Sequence, residues 1–254
     1  MLNIIWARIK QGHRTIKYPR RPPVLPDRFR GLPVIDPAIC GTNGGGCAEV
    51  CPVGALAVRD GRMTLDLGKC LFCGECEKQC PKGAVKFTRN HQLATRKRDS
   101  LILDGSEAKL AAALDVESRK LFGRSLKLRQ VSAGGCGACE ADCNVLSTVV
   151  FDLGRFGIQF VASPRHADGV LVTGPVTRNM EEALRKTYDA IPAPKLVIAV
   201  GACAIAGGPY AGHEEQCGGA SAVVPVDVYI PGCPPHPATI LDGLLRALGR
   251  VKEG

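Results

Sequence analysis

From residue 126 onward the chain alternates short, apolar-rich runs with longer mixed ones. Residues 126–131, 158–162, 169–173, 195–200 and 223–230 are apolar runs of strand length bounded by glycine, proline or charge, and they predict strands. The stretch between them around residues 144–152 predicts a helix. Residues 179–190 predict an amphipathic helix with Met180, Ala183, Leu184 and Tyr188 on one side. A last helix is predicted from about 237 to 248, carrying Ile240, Leu241, Leu244, Leu245 and Leu248. Strands joined through helices in one sheet are usually parallel, so residues 126–254 read as a small doubly wound α/β domain.

The first half has no such rhythm. Leu2, Ile4, Ile5, Trp6 and Ile9 form a short apolar face beside Arg8 and Lys10, as in a helix lying at an interface. Residues 18–26 hold four prolines and predict an extended strap. Residues 37–95 predict a compact α+β unit crowded with cysteines. Residues 96–125 read as a charged linker, in which Leu110, Ala113, Leu114 and Leu121 have helical spacing.

Composition changes this picture in one respect. The 254 residues include 13 cysteines, gathered in tight clusters, which points to metal rather than disulfides. The start of the chain is too short an apolar run for an export signal, so a reducing, cytoplasmic setting is expected. No apolar run approaches the ~18 residues of a membrane span. The formal charge of +9 does not imply nucleic acid, because no recognition motif is present and cluster thiolates would cancel much of it. Residues 1–36 hold much of the excess. They read either as an arm on anionic lipid or a membrane subunit, or as a solvated basic tail.

Cys70-x2-Cys73-x2-Cys76-x3-Cys80-Pro81 is the bacterial ferredoxin run. Zinc sites rarely show this three-plus-one spacing. In two-cluster ferredoxins the fourth cysteine of each run serves the other cluster, so Cys70, Cys73 and Cys76 are expected to share a 4Fe–4S cluster with Cys51. Val53-Gly-Ala-Leu after Cys51-Pro52 and Lys82-Gly-Ala-Val after Cys80-Pro81 are near-copies, the mark of an internal duplication. The upstream run is defective. Cys47 is in place, Gly44 and Gly41 stand where cysteines would fall, and Cys40 comes one residue early. The second site would have Cys40, Cys47 and Cys80: a 3Fe–4S cluster, a cube with a non-cysteine ligand, or an abandoned site. Occupancy is expected.

In the α/β domain, Gly134-Gly-Cys-Gly-Ala-Cys-Glu140 follows the first strand, Gly201-Ala-Cys203 the fourth and Pro231-Gly-Cys-Pro-Pro235 the fifth. Thiols just beyond three parallel strands converge on the sheet edge where such folds bind ligands, in loops whose glycines let backbone come close. A further iron–sulfur cluster is the expectation. Glu140 and Asp142 read either as helix N-terminal charges or as a proton relay beside a redox centre, with Glu140 the candidate named for that role. Cys143 and Cys217 read as small core residues.

The stretches Ser163-Pro-Arg-His-Ala-Asp168, Val172-Thr-Gly-Pro-Val-Thr177, Gly201-Ala-Cys203 and Pro225-Val-Asp-Val-Tyr-Ile-Pro-Gly-Cys-Pro-Pro235 resemble one family. It is shared by the small cluster-bearing subunit of complex I and the small subunits of membrane-bound, energy-converting nickel–iron hydrogenases. Thr15-Ile-Lys-Tyr-Pro19, Phe29-Arg-Gly31 and Leu67-Gly-Lys-Cys-Leu-Phe-Cys-Gly-Glu-Cys76 resemble the two-cluster ferredoxin subunit of the same complexes. The chain thus looks like a fusion of two subunits usually kept separate, the second with a flavodoxin-like fold. The resemblance implies that Cys136, Cys139, Cys203 and Cys233 hold a proximal 4Fe–4S cluster. The first two form C-x-x-C, as in hydrogenases, rather than the adjacent pair of complex I. It also implies a separate large subunit holding the nickel–iron site, ion-translocating membrane subunits, an electron donor or acceptor protein, and a peripheral place on the cytoplasmic side of the membrane. Arg165 and His166 would be surface residues or contacts to that large subunit. Competing readings are a nickel-free relative reducing quinone or a sulfur compound, a freestanding ferredoxin-like carrier, and a zinc-bound structural protein.

Overall fold

The structure, a computed structural model, describes residues 2–40, 48–59, 61–105, 113–114 and 120–251. Gly41, Gly44 and Cys47 of the upstream run, and most of the expected helix of the linker, lie outside the described residues.

The second half is built on five parallel strands: β6 (Leu126–Ser132), β7 (Ile158–Phe160), β8 (Gly169–Thr173), β9 (Leu196–Val200) and β10 (Val228–Ile230), in the order β10-β9-β8-β6-β7. Counted from β6, this is the flavodoxin-like order 2-1-3-4-5, read from the far edge. β8 and β9 are buried along their whole length, which is why they read as unbroken apolar runs. Helix α5 (Arg178–Ala190) keeps only Leu184 fully buried, as its polar face requires. α7 (Pro237–Ala247) is buried at every position.

Two predicted elements shift. The helix expected at 144–152 is α4, Ala138–Val145, with a turn after it. Gly137 starts it at φ 86°, inside the cysteine loop itself. The last strand begins only at Val228, because Pro225 cannot donate to a ladder.

In the first half, β1 (Pro33–Ile35) pairs antiparallel with β4 (Val85–Phe87), and β2 (Leu56–Arg59) forms a hairpin with β3 (Arg62–Asp66). α2 (Pro37–Cys40) precedes the first cysteines, and α3 (Glu75–Gln79) carries Cys76. After the basic Arg96-Lys-Arg98 run and a single 3-10 turn through Leu101, β5 (Ile102–Leu103) adds a third strand beside β3. Arg98 and Asp66, both partly buried, pair at 2.6 Å to fix that return.

The halves share one core. Leu65, Leu67 and Leu101 belong to the same buried apolar cluster as Val131, Val172 and Ile205. Thr95 and Tyr229 exchange backbone hydrogen bonds of 2.9 and 2.8 Å, joining the end of the first half to β10. The N-terminal helix α1 (Leu2–Gln11) buries nothing, and Leu2, Ile4, Ile5, Trp6 and Ile9 are all exposed. The strap after it is pinned to the second half: Thr15 donates to the carbonyl of Val149 at 2.8 Å and Ile16 to that of Val150 at 2.9 Å.

Two candidate iron–sulfur centres

The first centre lies at the carboxyl edge of the large sheet. Backbone pairing between β6 and β8 runs on through Ala133, which donates to Thr173 at 2.8 Å. The next loop then turns across the place where strand order reverses. Gly135 faces Gly174 there, and a Cβ on Gly135 would stand 3.0 Å from the Gly174 Cα. Cys136 lies in this loop, and Cys139 in the first turn of α4. Beyond β9, Gly201 sits at φ 91°, and a Cβ there would stand 2.5 Å from the Cys139 sulfur. The glycine makes room for the thiol. Cys203 follows on α6 (Ala202–Ala206), and Ala202 donates to Gly232 at 2.8 Å, tying this loop to the one bearing Cys233.

Cys136, Cys139, Cys203 and Cys233 therefore come together. Burial, then Cys203 and Cys233, push the Cys139 thiol far above its ordinary range. Burial, then Cys233 and Cys136, push Cys203 up to about 11. Burial also raises Cys233, and thiols so raised are poor thiolates until a compensating positive charge arrives, which cluster iron would supply. Cys136 and Cys233 are exposed, so one side of the centre faces outward. Glu140 is in the first turn of α4, where a helix favours negative charge. Its carboxylate accepts from the Ser132 hydroxyl and, at 3.2 Å, from that of Thr173, so two strand ends hold it beside Cys139. Cys143 is fully buried in the core, and Cys217 contacts Glu181 at 3.4 Å.

The second centre gathers Cys51, Cys70, Cys73 and Cys76 around a small cavity closed by Val53, Leu56, Leu65 and Phe87. Burial pushes Cys70 up to about 12, with Cys76, Cys51 and Cys73 adding to it, and burial and Cys73 push Cys76 to about 11. Backbone N–H groups aim at the sulfurs. Phe72, a non-glycine residue at φ 54°, donates to Cys70 at 3.4 Å. The duplication seen in the sequence is a duplication of geometry. Ala55 donates to the Cys51 sulfur at 3.2 Å and Ala84 to the Cys80 sulfur at 3.2 Å. Gly54 and Gly83 donate to the carbonyls of the same cysteines at 3.2 and 3.1 Å. Cys80 thus sits in the setting of Cys51. Cys40, half-buried at the end of α2, packs against the same core, while Cys47 lies outside the described residues.

Among the described residues no three His, Cys, Asp or Glu side chains gather tightly enough to hold one metal ion. A cube binds each thiolate through a different iron, so its thiolates need not meet at one point, and both sets fit such a group. The sheet hydroxyls that hold Glu140 carry no motif. They show only once β6 and β8 are known to be neighbours.

A flavodoxin-like sheet with a cysteine centre at its carboxyl edge, preceded by a duplicated cysteine unit, defines an iron–sulfur protein. Residues 136–247 match the family described as NADH ubiquinone oxidoreductase, 20 Kd subunit, and residues 38–84 the 4Fe-4S dicluster domain. The chain is 43% identical over 155 residues to "Formate hydrogenlyase subunit 7" of Escherichia coli K12, covering 60% of this chain and 58% of that one. It is 40% identical over 134 residues to "Probable membrane-bound hydrogenase subunit mbhJ" of Pyrococcus furiosus, covering 53% of this chain and 80% of that one. A chain of the membrane-bound sulfane sulfur reductase, an archaeal respiratory membrane complex, is 34% identical, with a TM-score of 0.47 over 52% of this chain and 73% of its own. This chain belongs to the family of the 20 kDa subunit of NADH ubiquinone oxidoreductase, joined to a 4Fe–4S dicluster domain. It spans only 58% of the length of the formate hydrogenlyase subunit.

Proposed function

We propose that the chain is the electron-transfer subunit of a membrane-associated, complex I-related nickel–iron hydrogenase, of formate hydrogenlyase or energy-converting type. Cys136, Cys139, Cys203 and Cys233 would hold the proximal 4Fe–4S cluster, and Cys51, Cys70, Cys73 and Cys76 a ferredoxin 4Fe–4S cluster. Cys40, Cys47 and Cys80 would hold a third, irregular one. These groups supply one-electron carriers. The chain's residues hold them, limit water and aim N–H donors at sulfur, which tunes potential. Glu140, held by two hydroxyls, is the candidate for passing a proton beside the proximal cluster.

One observation carries this reading. Leu71 and Phe72, from the Cys70–Cys73 loop, line the same cleft of about 340 Å³ as residues 231–236 around Cys233. Loops of the two cysteine sets thus border one cleft, which supports reading them as neighbouring carriers. The exposed side of the proximal centre at Cys136, away from that cleft's lining, would be left for a large subunit bearing the nickel–iron site. The exposed apolar face of α1, beside Arg8 and Lys10, suits a membrane subunit or anionic lipid on the cytoplasmic side. Among the described residues no helix is long and apolar enough to cross a membrane, so such association would be peripheral. The reading is tested by electron paramagnetic resonance of the reduced chain. Two distinct cubane signals, one lost on Cys139→Ser and the other on Cys73→Ser, are expected. A colourless protein that binds zinc instead would refute it. The cysteine spacing of the large-subunit partner then separates a hydrogenase from a nickel-free relative.

A further inference from the structure

Tyr18 sits where three parts of the chain meet. Its buried hydroxyl donates to Asp242 on α7. Its ring meets that of His91, in the segment leaving the first half, edge-on at 5.5 Å. Its carbonyl accepts from Arg155 at 3.0 Å. Asp242 is fully buried, and its other oxygen accepts from Arg246 Nε at 2.7 Å, itself only 3% exposed. A buried ion pair inside an otherwise apolar helix is weak evidence for stability, since desolvation offsets much of its attraction. Placed under a strap, it can specify where that strap lies.

On both sides of Tyr18 the strap is held, but by different halves. Thr15 and Ile16 bond the second half, at Val149 and Val150. Further on, Arg89 donates to the carbonyl of Leu25 at 2.7 Å, and Gly31 donates to Thr88 at 2.7 Å, both in the first half. The strap therefore crosses the junction of the two halves on the side where Phe29 and Arg30 reach the cleft between the centres.

We infer that Tyr18 is a positioning residue. Held by Asp242, which Arg246 in turn pairs, and backed by His91, it fixes the first half against the second and so sets the spacing of the two cysteine centres. The spacing role rests on the cluster reading above, whereas the docking role does not. The test compares wild type with Tyr18→Phe in the full chain purified with its clusters. Hydrogen exchange and the spin–spin interaction between the reduced centres are measured. The variant keeps the ring and removes the hydroxyl. Amides of residues 15–32 should exchange roughly tenfold faster. The amides of Thr95 and Tyr229, which join the halves elsewhere, should speed up with them. The spin–spin interaction should weaken, while iron content and each centre's own spectrum stay as they were. Faster exchange in the strap alone, with Thr95, Tyr229 and the spin–spin interaction unmoved, would reduce Tyr18 to a local anchor and overturn the inference. So would unchanged exchange throughout. Thr15→Val, which loosens the strap from its exposed end, should show the same pattern more weakly and serves if Tyr18→Phe does not fold. Absence of any cluster signal in wild type would sink the cluster reading, and exchange at Thr95 and Tyr229 would still decide the docking role.

Discussion

The two cysteine centres are built by opposite means. The first-half centre is a local object: Cys70, Cys73 and Cys76 lie within seven residues, and only Cys51 comes from further off. Its sulfurs are served by N–H groups of their own loops, from Phe72 and Ala55. The sheet-edge centre is assembled from three loops spread over about a hundred residues, and it exists only where β6, β9 and β10 lie parallel and close. Its tolerances are set by backbone contact, as at Gly201 against the Cys139 sulfur. A spacing motif suffices for the first centre, whereas the second needs the whole fold. The two should accordingly fail differently.

The largest contrast is expected on removing one ligand from each. Cys139→Ser, and likewise Cys136, Cys203 or Cys233 to Ser, should abolish electron delivery to the partner while the first-half clusters remain reducible by dithionite. Cys73→Ser should abolish entry of electrons but leave the sheet-edge signal intact. Full hydrogen evolution by Cys139→Ser would show that the sheet-edge assignment is wrong.

A fold-dependent centre should also be lost through a residue that ligates nothing. Gly201→Ala adds a methyl 2.5 Å from the Cys139 sulfur and forces an L-residue to φ 91°. Loss of most of the sheet-edge cluster signal is expected, with circular dichroism close to wild type. Gly54, beside the Cys51 thiol in the first half, is different: a Cβ there meets nothing within 4 Å. Gly54→Ala should therefore cost about 1 kcal/mol of stability through its positive φ, read from urea melts, and no iron.

This difference also explains what could be read before the fold was known. The parallel sheet was legible because β8 and β9 are buried on both faces and so write continuous apolar runs. The ferredoxin unit was legible from spacing. The start of α4 was not, because glycines around Cys136 and Cys139 read as loop while Gly137 in fact launches a helix. β5 was hidden too: two residues after a basic run carry no strand signal, and the Arg98–Asp66 pair that returns them is a tertiary contact. Asp242 and Arg246 stand four apart on an otherwise largely apolar helix. Their partner Tyr18 lies 224 residues before Asp242, beyond any local pattern.

The irregular set sharpens the comparison within the first half. Cys40, Cys47 and Cys80 offer three thiolates, so a cluster there carries less negative charge and should have the higher potential, other terms equal. Iron-edge anomalous scattering is expected to show three peaks, the one near Cys80 weaker or three-iron in shape. Two peaks, with Cys40 and Cys47 reactive to thiol reagents, would mean that the site is abandoned.

Neither centre should depend on α1. Deleting residues 2–11 removes the exposed apolar face and two basic residues, but stops short of the Thr15 to Tyr18 contacts. Iron content should not change, while membrane association weakens severalfold, more so in low salt, where the electrostatic part is largest. Equal membrane fractionation of the two forms at low and high salt would leave α1 a solvated tail.

The smallest expected effect falls on Glu140, which touches one centre only. Glu140→Gln keeps a carbonyl oxygen to accept from the Ser132 and Thr173 hydroxyls, so the loop geometry should hold. What changes is one negative charge beside Cys139. Adding an electron to a cluster costs more beside a carboxylate than beside an amide. At a partly solvated site that difference is on the order of 1 kcal/mol. For a one-electron couple this is roughly 40 mV, taking 59 mV per tenfold change. The sheet-edge potential should therefore rise by about that much in a redox titration, with the ferredoxin potential unmoved. If Glu140 also passes protons, hydrogen evolution should fall although the easier reduction alone would not slow it. Unchanged turnover with a raised potential would leave Glu140 as a charge at a helix start and nothing more.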